Sequence, residues 1–223
     1  MNRILVPHAV AIGERVLAGP AESHHLLGVQ RVARGKSVRV SDGMGWQADA
    51  ELVDVQDGCA VLEVRSLVAV VVAPERTVVL GMPKAAALEE ALVMGTEAGA
   101  SCFWLVRAER SPPGELRSDR LERVLRAAMT QCGRADLPVI HGPVPLSAVV
   151  GLPASRYVAV PGASNGAAPV GAAALAVGPE GGWSEPELHL LRGQGFEELG
   201  LGPFIQRTPT AVAVGLGRLW ASV

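Results

Sequence analysis

Two glycine-bearing segments near the end of the sequence hold the residue types best suited to binding a ligand. The first, Gly178-Pro-Glu-Gly-Gly182, follows a continuous apolar run and precedes Ser184 and Glu187, which are spaced as a capping box at a helix start. Ligands of open α/β sheets bind beyond the carboxyl ends of strands, and glycines let the backbone approach a ligand closely. Because Glu180 would repel phosphate and no Gly-Lys-Ser/Thr sequence follows, we expect a cationic or neutral ligand. A purely structural turn is the alternative.

The second segment, Gly202-Pro-Phe-Ile-Gln-Arg207, follows a short strand-like run. Thr208 is a candidate N-cap and Pro209 a candidate first residue of the apolar helix that comes next. Arg207 would then lie at the positive end of a helix, where a cation is disfavoured unless an anion is near. We predict that its partner is a ligand phosphate or carboxylate, or Glu180, and that the two loops line one cleft. An ordinary surface arginine is the alternative.

The elements that carry these loops are predicted from a change of hydrophobic period in the second part of the chain. Short continuous apolar runs there are typical of strands buried on both faces. They are Thr77–Met82, Cys102–Val106, Tyr157–Val160 and Ala173–Val177. Between some of them, apolar residues at helical spacing predict a helix around 88–95 and another from an N-cap at Ser118 to Gly133. Strands alternating with helices predict an α/β domain with a largely parallel sheet.

The first part of the chain has a different texture. Short strand-like runs are separated by turn signals such as Asp42-Gly43 and Asp57-Gly58, and Asp-Gly pairs supply the positive φ angles of tight hairpins. We therefore predict a small β-barrel or compact sheet over residues 1–73. The boundary is expected at Pro74-Glu75-Arg76, and the α/β domain is expected to cover residues 74–223.

Composition limits the possible function classes. The 223 residues are 49% hydrophobic and carry a formal charge of −2, which excludes general disorder and argues against indiscriminate nucleic-acid binding. The apolar runs fall short of the ~20 residues of a membrane-spanning helix, and a secretory signal pattern is missing, so we expect a cytoplasmic protein without a membrane partner. Cys59, Cys102 and Cys132 form no Cys-x-x-Cys pair, so we expect reduced thiols and no metal site.

Positive charge is concentrated in two stretches. Residues 31–39 carry four basic side chains and no acid, and residues 107–134 carry seven arginines against four acidic residues. If RNA is a partner, its phosphates would bind at these two places. A pair of solvated faces is the alternative, and charge alone favours it.

The two loops resemble the C-terminal signature of the RsmE-type family. Members of this family are SPOUT-superfamily methyltransferases that act on N3 of a uridine in small-subunit (16S) ribosomal RNA. The resemblance rests on Gly178–Gly182 followed by Leu201-Gly-Pro-Phe-Ile-Gln-Arg-Thr-Pro-Thr-Ala211. The resemblance covers nearly the whole chain, because further motifs follow in the same order as in the family. Each motif alone is weak evidence for the family, but together they are specific. These are His24-His-Leu-Leu-Gly-Val-Gln-Arg31, Gly35-Lys36, Asp42-Gly-Met-Gly45, Met82-Pro-Lys84, Thr96-Glu-Ala-Gly99, Glu109-Arg-Ser111 and Gln131-Cys-Gly-Arg134.

The resemblance implies an N-terminal PUA-like β-barrel that binds RNA, followed by a SPOUT α/β domain with a C-terminal trefoil knot. It also implies a homodimer, with S-adenosylmethionine bound in the knot. The residues carried over for cofactor contact are Gly178, Glu180, Gly181, Gly182, Leu201, Gly202, Ile205, Arg207 and Thr210. We expect contacts to the RNA from Arg3, Arg31, Arg34, Lys36, Lys84, Arg110, Gln131 and Arg134.

Methyl transfer to N3 of uracil requires alignment of the reacting atoms and loss of the N3 proton. Fixed donors would stabilise the negative charge that develops on the uracil carbonyl oxygens, and Arg134 and Arg207 are the candidates. Glu180 is either the base or the side chain that holds the cofactor. We hypothesise the second role, because a carboxylate beside a sulfonium is already explained by electrostatics.

The sequence departs from the family's usual ending, Ile-Leu-Arg-x-Glu-Thr-Ala. Gln206 replaces an apolar residue and Pro209 replaces a glutamate, while Thr130 and Cys132 differ from the motif around Gln131. Two alternatives therefore stay open: a SPOUT methyltransferase for another RNA position, and a noncatalytic RNA-binding relative. A nucleotide-binding α/β protein that uses the glycine loop for phosphate is a third.

Overall fold

The computed structural model describes residues 2–114, 116–164 and 171–220. They form two compact units of a mixed α/β structure. One unit holds the chain up to Val72 together with Met129–Leu137, and the other holds Ala73–Ala128 with the chain from Pro138 onward. The predicted domains of 1–73 and 74–223 differ from these units at Ala73, which lies in the second unit, and at residues 129–137, which lie in the first.

The first unit is built on a five-stranded sheet. Its strands are β1 (Arg3–Leu5), β2 (Arg15–Leu17), β3 (Ser37–Ser41), β4 (Gln47–Gln56) and β5 (Cys59–Leu67), in the order β1-β3-β4-β5-β2. The β1–β3 pair is parallel and the other pairs are antiparallel. Helix α1 (Pro20–His24) runs into a π-helical turn at His25–Val29. Alternate residues such as Val38, Val40 and Ala50 face an apolar core, as the strand period requires.

The turn between β4 and β5 confirms the Asp-Gly prediction. Gln56 pairs with Cys59, so Asp57 and Gly58 form a two-residue hairpin loop. Both have positive φ angles, 49° and 78°. Asp-Gly is favoured in such a turn because glycine carries no Cβ and aspartate tolerates the left-handed region better than most residues.

Residues 129–137 are held in the first unit by hydrogen bonds to its strands. Ser41 Oγ donates to the carbonyl of Ala135 at 3.0 Å, and Gln47 Nε2 donates to the carbonyl of Gly133 at 2.9 Å. These side chains satisfy the carbonyls of an irregular segment, which the hydrophobic period of the sequence does not reveal.

The second unit contains a parallel six-stranded sheet, as predicted. Its strands are β6 (Arg76–Gly81), β7 (Cys102–Val106), β8 (Val139–Val144), β9 (Ser155–Ala159), β10 (Ala173–Val177) and β11 (Glu197–Leu199). Their order is β11-β9-β10-β6-β7-β8, with parallel pairing throughout. The sequence did not predict β8, because this edge strand is largely exposed and contains His141 and Gly142-Pro143 instead of a continuous apolar run.

Three helices of the second unit begin at or next to the serine or threonine predicted at their start. They are α2 (Ala85–Glu97), α3 (Ser118–Cys132), whose last residues extend into the 129–137 segment, α4 (Glu185–Gly193) and α5 (Thr208–Trp220). Gly133 follows α3 with a φ of 83°, as expected of a residue that ends a helix. Helix α5 packs on α2 and β10. A Cβ on Gly215 would lie 2.5 Å from Leu175, so glycine is what allows this close approach.

Arg76, predicted at the domain boundary, is instead fully buried at the start of β6. Its Nη2 donates to the carbonyl of Leu219 at 2.9 Å, and its guanidinium carbon lies 4.3 Å from the ring centre of Trp220. Burial lowers the pKa of Arg76 from its usual value. The side chain therefore ties the negative end of the α5 dipole to the sheet.

Other sequence expectations concern membranes, metals and thiols. Among the described residues, no helix is long and apolar enough to span a membrane, and no group of three His, Cys, Asp or Glu side chains could hold a metal ion. The three cysteines are free, as predicted. Burial, with a smaller effect of Glu75, raises the pKa of Cys102 to about 11, so this thiol is protonated near neutral pH.

Candidate active site

A cleft of about 550 Å³ opens in the second unit where the loops after β9, β10 and β11 meet. All three loops leave the carboxyl ends of parallel strands, the place where open α/β sheets bind ligands. The two loops singled out in the sequence therefore line one cavity, as predicted. Of the predicted cofactor residues, all but Thr210 line it: Gly178, Glu180, Gly181, Gly182, Leu201, Gly202, Ile205 and Arg207.

The glycine loop is folded tightly against itself. Gly182 N donates to the carbonyl of Pro179 at 2.8 Å, and Gly182 has a φ of 69°. A Cβ on Gly178 would lie 3.0 Å from backbone atoms of both Gly182 and Trp183. A side chain at position 178 would therefore displace the backbone that forms the cleft wall.

Glu180 links the glycine loop to helix α2. Its Oε1 accepts a hydrogen bond at 3.1 Å from the backbone nitrogen of Lys84, the N-cap residue of that helix. Both side chains are exposed. The carboxylate thus stands at the cleft as a fixed negative charge close to the positive end of a helix dipole.

Arg110, predicted as an RNA contact, lines the cleft. Its Nη1 donates to the carbonyl of Gly181 at 2.9 Å and lies 3.4 Å from the carbonyl of Trp183. The structure thus brings this side chain to the glycine loop, a placement that charge and motif spacing did not indicate.

The start of helix α4 is braced by one carboxylate. Glu187 Oε2 accepts from the backbone nitrogen of Ser184 at 2.8 Å, as the capping-box spacing predicted. Glu187 Oε1 accepts from the backbone nitrogen of Glu109, also at 2.8 Å. The same side chain therefore caps α4 and holds the loop that follows β7.

Thr208 joins the two loops of the cleft. Its hydroxyl donates to the carbonyl of Gly178 at 3.1 Å, and the residue is buried. Thr208 was predicted as the N-cap of α5, and this was wrong: the helix already includes Thr208, and the hydroxyl bonds to Gly178 instead of capping the helix. Thr210, carried over as a cofactor contact, lies in the first turn of the same helix outside the cleft lining.

Arg207 pairs with Glu90 of α2, at 3.3 Å between Nη2 and Oε1. The sequence offered Glu180 or a ligand anion as its partner, and Glu90 was missed because nothing in the sequence places the middle of α2 beside this loop. The Arg207 side chain is 72% exposed. The pair is therefore weak, because water screens it.

The second loop presents apolar side chains to solvent. Phe204 is 83% exposed and Ile205 is 86% exposed, and both line the cleft. Gln206 Nε2 donates to the carbonyl of Leu201 at 3.1 Å and closes the loop on itself. The departure from the family's apolar residue thus places a hydrogen bond inside this loop.

The loop after β9 also lines the cleft and was missed. Ala159, Val160 and Pro161 contribute to its wall. The signal was available, since Pro161-Gly162 directly follows a predicted strand and the carboxyl ends of parallel strands share one edge of a sheet.

Three predicted RNA contacts lie together in the first unit. Arg3 Nη1 donates to the backbone carbonyl of Gln131 at 3.2 Å. Arg134 pairs with Asp136 at 2.5 Å, with its side chain 17% exposed. Arg134 was also predicted as a catalytic donor, and the structure does not place it among the residues that line the cleft.

The basic stretch 31–39 is partly neutralised. Arg34 pairs with Asp54 at 2.9 Å, and Arg39 pairs with Asp49 at 2.7 Å. Arg31 and Lys36 are exposed, and Arg31 has a positive φ of 52°. Part of the charge that suggested a phosphate-binding face is therefore balanced within the first unit.

The sequence is similar to known RNA methyltransferases. Residues 72–220 match a family model described as an RNA methyltransferase domain. The chain is 30% identical to the ribosomal RNA small subunit methyltransferase E of Synechocystis sp., with 97% of this chain and 76% of that protein covered. It is 35% identical to the protein of the same name from Mycobacterium bovis, with 88% and 82% covered.

Solved structures show the same fold. The ribosomal RNA small subunit methyltransferase E of Neisseria gonorrhoeae, bound to S-adenosyl methionine, matches with a TM-score of 0.88 at 24% identity, over 97% of this chain and 95% of that chain. A Legionella pneumophila protein in complex with the cofactor SAM matches with a TM-score of 0.84 at 24% identity, over 99% and 97%.

Proposed function

Because the chain belongs to the RNA methyltransferase family of the ribosomal RNA small subunit methyltransferase E proteins, we propose that it methylates N3 of a uridine in the 16S ribosomal RNA of the small subunit. The methyl donor is S-adenosylmethionine. The observation that carries the proposal is the cleft, because residues 178–182 and most of 201–211, which bear the family's C-terminal signature, line one cavity at the carboxyl ends of parallel strands.

The residues that line the cleft fit S-adenosylmethionine. The volume of about 550 Å³ lies within the range of roughly 300–1,000 Å³ found for small-molecule sites. Val160, Leu201 and Ile205 offer apolar surface for the adenosine, and the Glu180 carboxylate suits a positively charged sulfur. Two buried polar atoms of lining residues, Trp183 Nε1 and Gln206 Oε1, have no hydrogen-bond partner within the described part of the chain. Buried groups of this kind call for a partner, which a polar ligand can provide.

When bound, S-adenosylmethionine supplies a methyl group on a positively charged sulfur. The backbone of Gly178–Gly182 shapes the wall against which it is held, and Glu180 stabilises the positive charge. Thr208 keeps the two loops at a fixed separation through its bond to Gly178. Much of the rate then comes from positioning, because the reacting nitrogen must be in line with the methyl group.

Arg207 is the proposed donor to the uracil carbonyl oxygens. Its exposed side chain and long ion pair with Glu90 leave it able to turn toward a substrate oxygen that gains negative charge. Arg134 is kept as a second proposed donor and RNA contact. Glu180 is assigned to the cofactor, because the Lys84 backbone nitrogen holds its carboxylate at the cleft, where it balances the charge on sulfur. No side chain is assigned to the N3 proton, which passes to water.

The finer architecture is also part of the proposal: a PUA-like RNA-binding domain in the first unit and a trefoil knot in the second. The knot is proposed on the resemblance. The segment after β11 does run against the segment after β9, since Gly200 N donates to Ser164 O at 2.8 Å. A Cβ on Gly200 would lie 2.1 Å from the carbonyl oxygen of Ala163. We propose that the enzyme works as a cytoplasmic homodimer without a metal.

Methyl transfer to ribosomal subunits tests the function. The protein is incubated with labelled S-adenosylmethionine and small subunits that lack the modification, and the labelled nucleoside is identified by mass spectrometry. N3-methyluridine is expected, and subunits that already carry it should accept no label. Label in another nucleoside would indicate a methyltransferase for a different RNA position. Cofactor or RNA binding without incorporation into any RNA would favour the noncatalytic relative.

A further inference from the structure

We infer that Arg110 is a positioning residue that fixes the glycine loop of the cofactor cleft, and that it is not an RNA contact. The inference rests on the proposed function, since it assigns a role in holding the cofactor site. Arg110 lies in the loop that follows β7, whereas its hydrogen-bond acceptors lie in the loop that follows β10. Its side chain therefore bridges two loops of the second unit.

The guanidinium of Arg110 helps to fix the orientation of one peptide group of the glycine loop, the one between Gly181 and Gly182. Arg110 Nη1 donates to the carbonyl of Gly181 at 2.9 Å, while the nitrogen of the same peptide, Gly182 N, donates to Pro179 O at 2.8 Å. Both ends of this peptide are thus bonded. A peptide held in this way cannot turn without breaking two hydrogen bonds, one of them to a charged donor.

The aliphatic part of Arg110 occupies the space beside Gly181. A Cβ on Gly181 would lie 3.1 Å from Arg110 Cβ and 3.3 Å from Arg110 Cδ. The side chain therefore packs on the loop through its stem and bonds to it through its head, which is the arrangement that a long amphipathic side chain favours.

The loop that carries Arg110 is itself held in place. Glu187 Oε1 accepts from Glu109 N at 2.8 Å, and Ser111 Oγ accepts from Ala108 N at 3.1 Å. The bond to Glu187 connects this loop to the first turn of α4, which begins just after the glycine loop. Arg110 thus extends from a fixed base, as positioning requires.

Arg107 provides the contrast within the same loop. It is exposed, and its side chain forms no hydrogen bond or ion pair within the described ranges. This is the state expected of an arginine that is available to an RNA phosphate. Arg107→Ala is therefore a matched control, with the same residue type three positions away.

The decisive variant is Arg110→Lys, which keeps the charge but replaces the planar fork with a single ammonium. A phosphate contact survives this change, whereas a bond that fixes the Gly181 carbonyl while the stem packs on the loop does not. We expect Arg110→Lys and Arg110→Ala to weaken S-adenosylmethionine binding about tenfold by calorimetry. Arg107→Ala should leave that affinity unchanged.

Two further readouts separate positioning from RNA contact. Arg110→Lys should raise KM for S-adenosylmethionine without raising KM for the ribosomal subunit. The dependence of 16S ribosomal RNA binding on salt should keep its slope in Arg110→Ala, whereas loss of a phosphate contact lowers that slope by about one. Glu187→Gln, which loses one of two carboxylate acceptors, should show a smaller rise in the same KM.

Wild-type affinity for the cofactor in Arg110→Lys, or a reduced salt slope in Arg110→Ala with cofactor affinity intact, would overturn the inference. Thermal unfolding of each variant without ligand shows whether the variant still folds. If the Arg110 variants do not fold, the KM of Glu187→Gln for S-adenosylmethionine is the test: a rise supports the inference, and an unchanged KM contradicts it. Wild-type protein that binds no S-adenosylmethionine would sink the proposed function and, with it, the role of Arg110.

Discussion

The two loops that bear the family signature are built in different ways. The glycine loop, 178–182, forms hydrogen bonds to three residues outside it. The donors are the backbone nitrogen of Lys84 and the side chains of Arg110 and Thr208. The second loop, 202–207, is closed by the internal bond of Gln206 and by the long ion pair of Arg207, and it exposes large apolar side chains to solvent.

This difference separates two tasks within one cleft. A wall with many bonds and tight packing keeps its shape before a ligand arrives, which lowers the cost of ordering on binding. A loop with exposed side chains and weak bonds, such as the second loop, opens locally at a small cost in free energy. We therefore propose that the glycine loop fixes the shape of the cleft and orients the cofactor, and that the second loop adapts to the ligand.

The largest effect is expected from Gly178→Ala. The new Cβ would lie 3.0 Å from backbone atoms of Gly182 and Trp183, so the backbone of the loop must give by a few tenths of an ångström, which disturbs the alignment of the cofactor. We expect cofactor affinity to fall at least about tenfold by calorimetry. Gly193→Ala is the control, because nothing lies within 4 Å of its Cβ position and alanine favours the helix.

Thr208→Val removes the hydroxyl bond between the two loops while keeping the side-chain shape. One buried hydrogen bond contributes about 1 kcal/mol, so cofactor affinity should fall roughly fivefold. Thr210→Val should have little effect, because that residue lies outside the cleft lining. A larger loss in Thr210→Val than in Thr208→Val would restore the sequence-based assignment of Thr210.

Glu180→Gln tests the fixed charge of the glycine loop. We expect weaker binding of S-adenosylmethionine, by a few fold, and a smaller change for S-adenosylhomocysteine, because the latter carries no positive charge on sulfur. Competition binding with the two ligands measures the difference. Normal cofactor binding with loss of methyl transfer would assign Glu180 to the uracil proton instead.

The smallest effects are expected at the tip of the second loop. Phe204→Ser and Ile205→Ser remove side chains that are more than four-fifths exposed, so the free energy of unfolding should change by less than about 0.5 kcal/mol. Urea unfolding measures this. A cost of several kcal/mol at either position would mean that the loop is packed, and the contrast between the two walls would fail.

Much of the fold could be predicted from the sequence because local signals decide it. Most of the parallel strands show as continuous apolar runs, and Ser118, Ser184 and Thr208 mark helix starts because their residue types are favoured there. The position of the cleft followed from two glycine loops after strands of one parallel sheet, although β9 lies between those two strands. Edge strand β8 escaped prediction, since exposure removes the apolar run on which a strand assignment relies.

The partners of the site residues could not be predicted in the same way. Arg110 and Arg207 were read from charge and motif position, but their partners, Gly181 and Glu90, are 71 and 117 residues away in the chain. Pairings over such distances depend on the packing of the loops and helices. Hydrophobic periodicity and local spacing do not predict these long-range pairings.

The most direct test of the cleft assignment is a crystal structure of the protein with S-adenosylhomocysteine at saturating concentration. We predict density for the ligand between Gly178–Gly182 and Leu201–Arg207, with the adenine against the apolar walls and the sulfur on the Glu180 side. Density at another place, or an empty cleft under conditions in which the protein transfers methyl groups, would contradict the assignment of this cleft as the cofactor site.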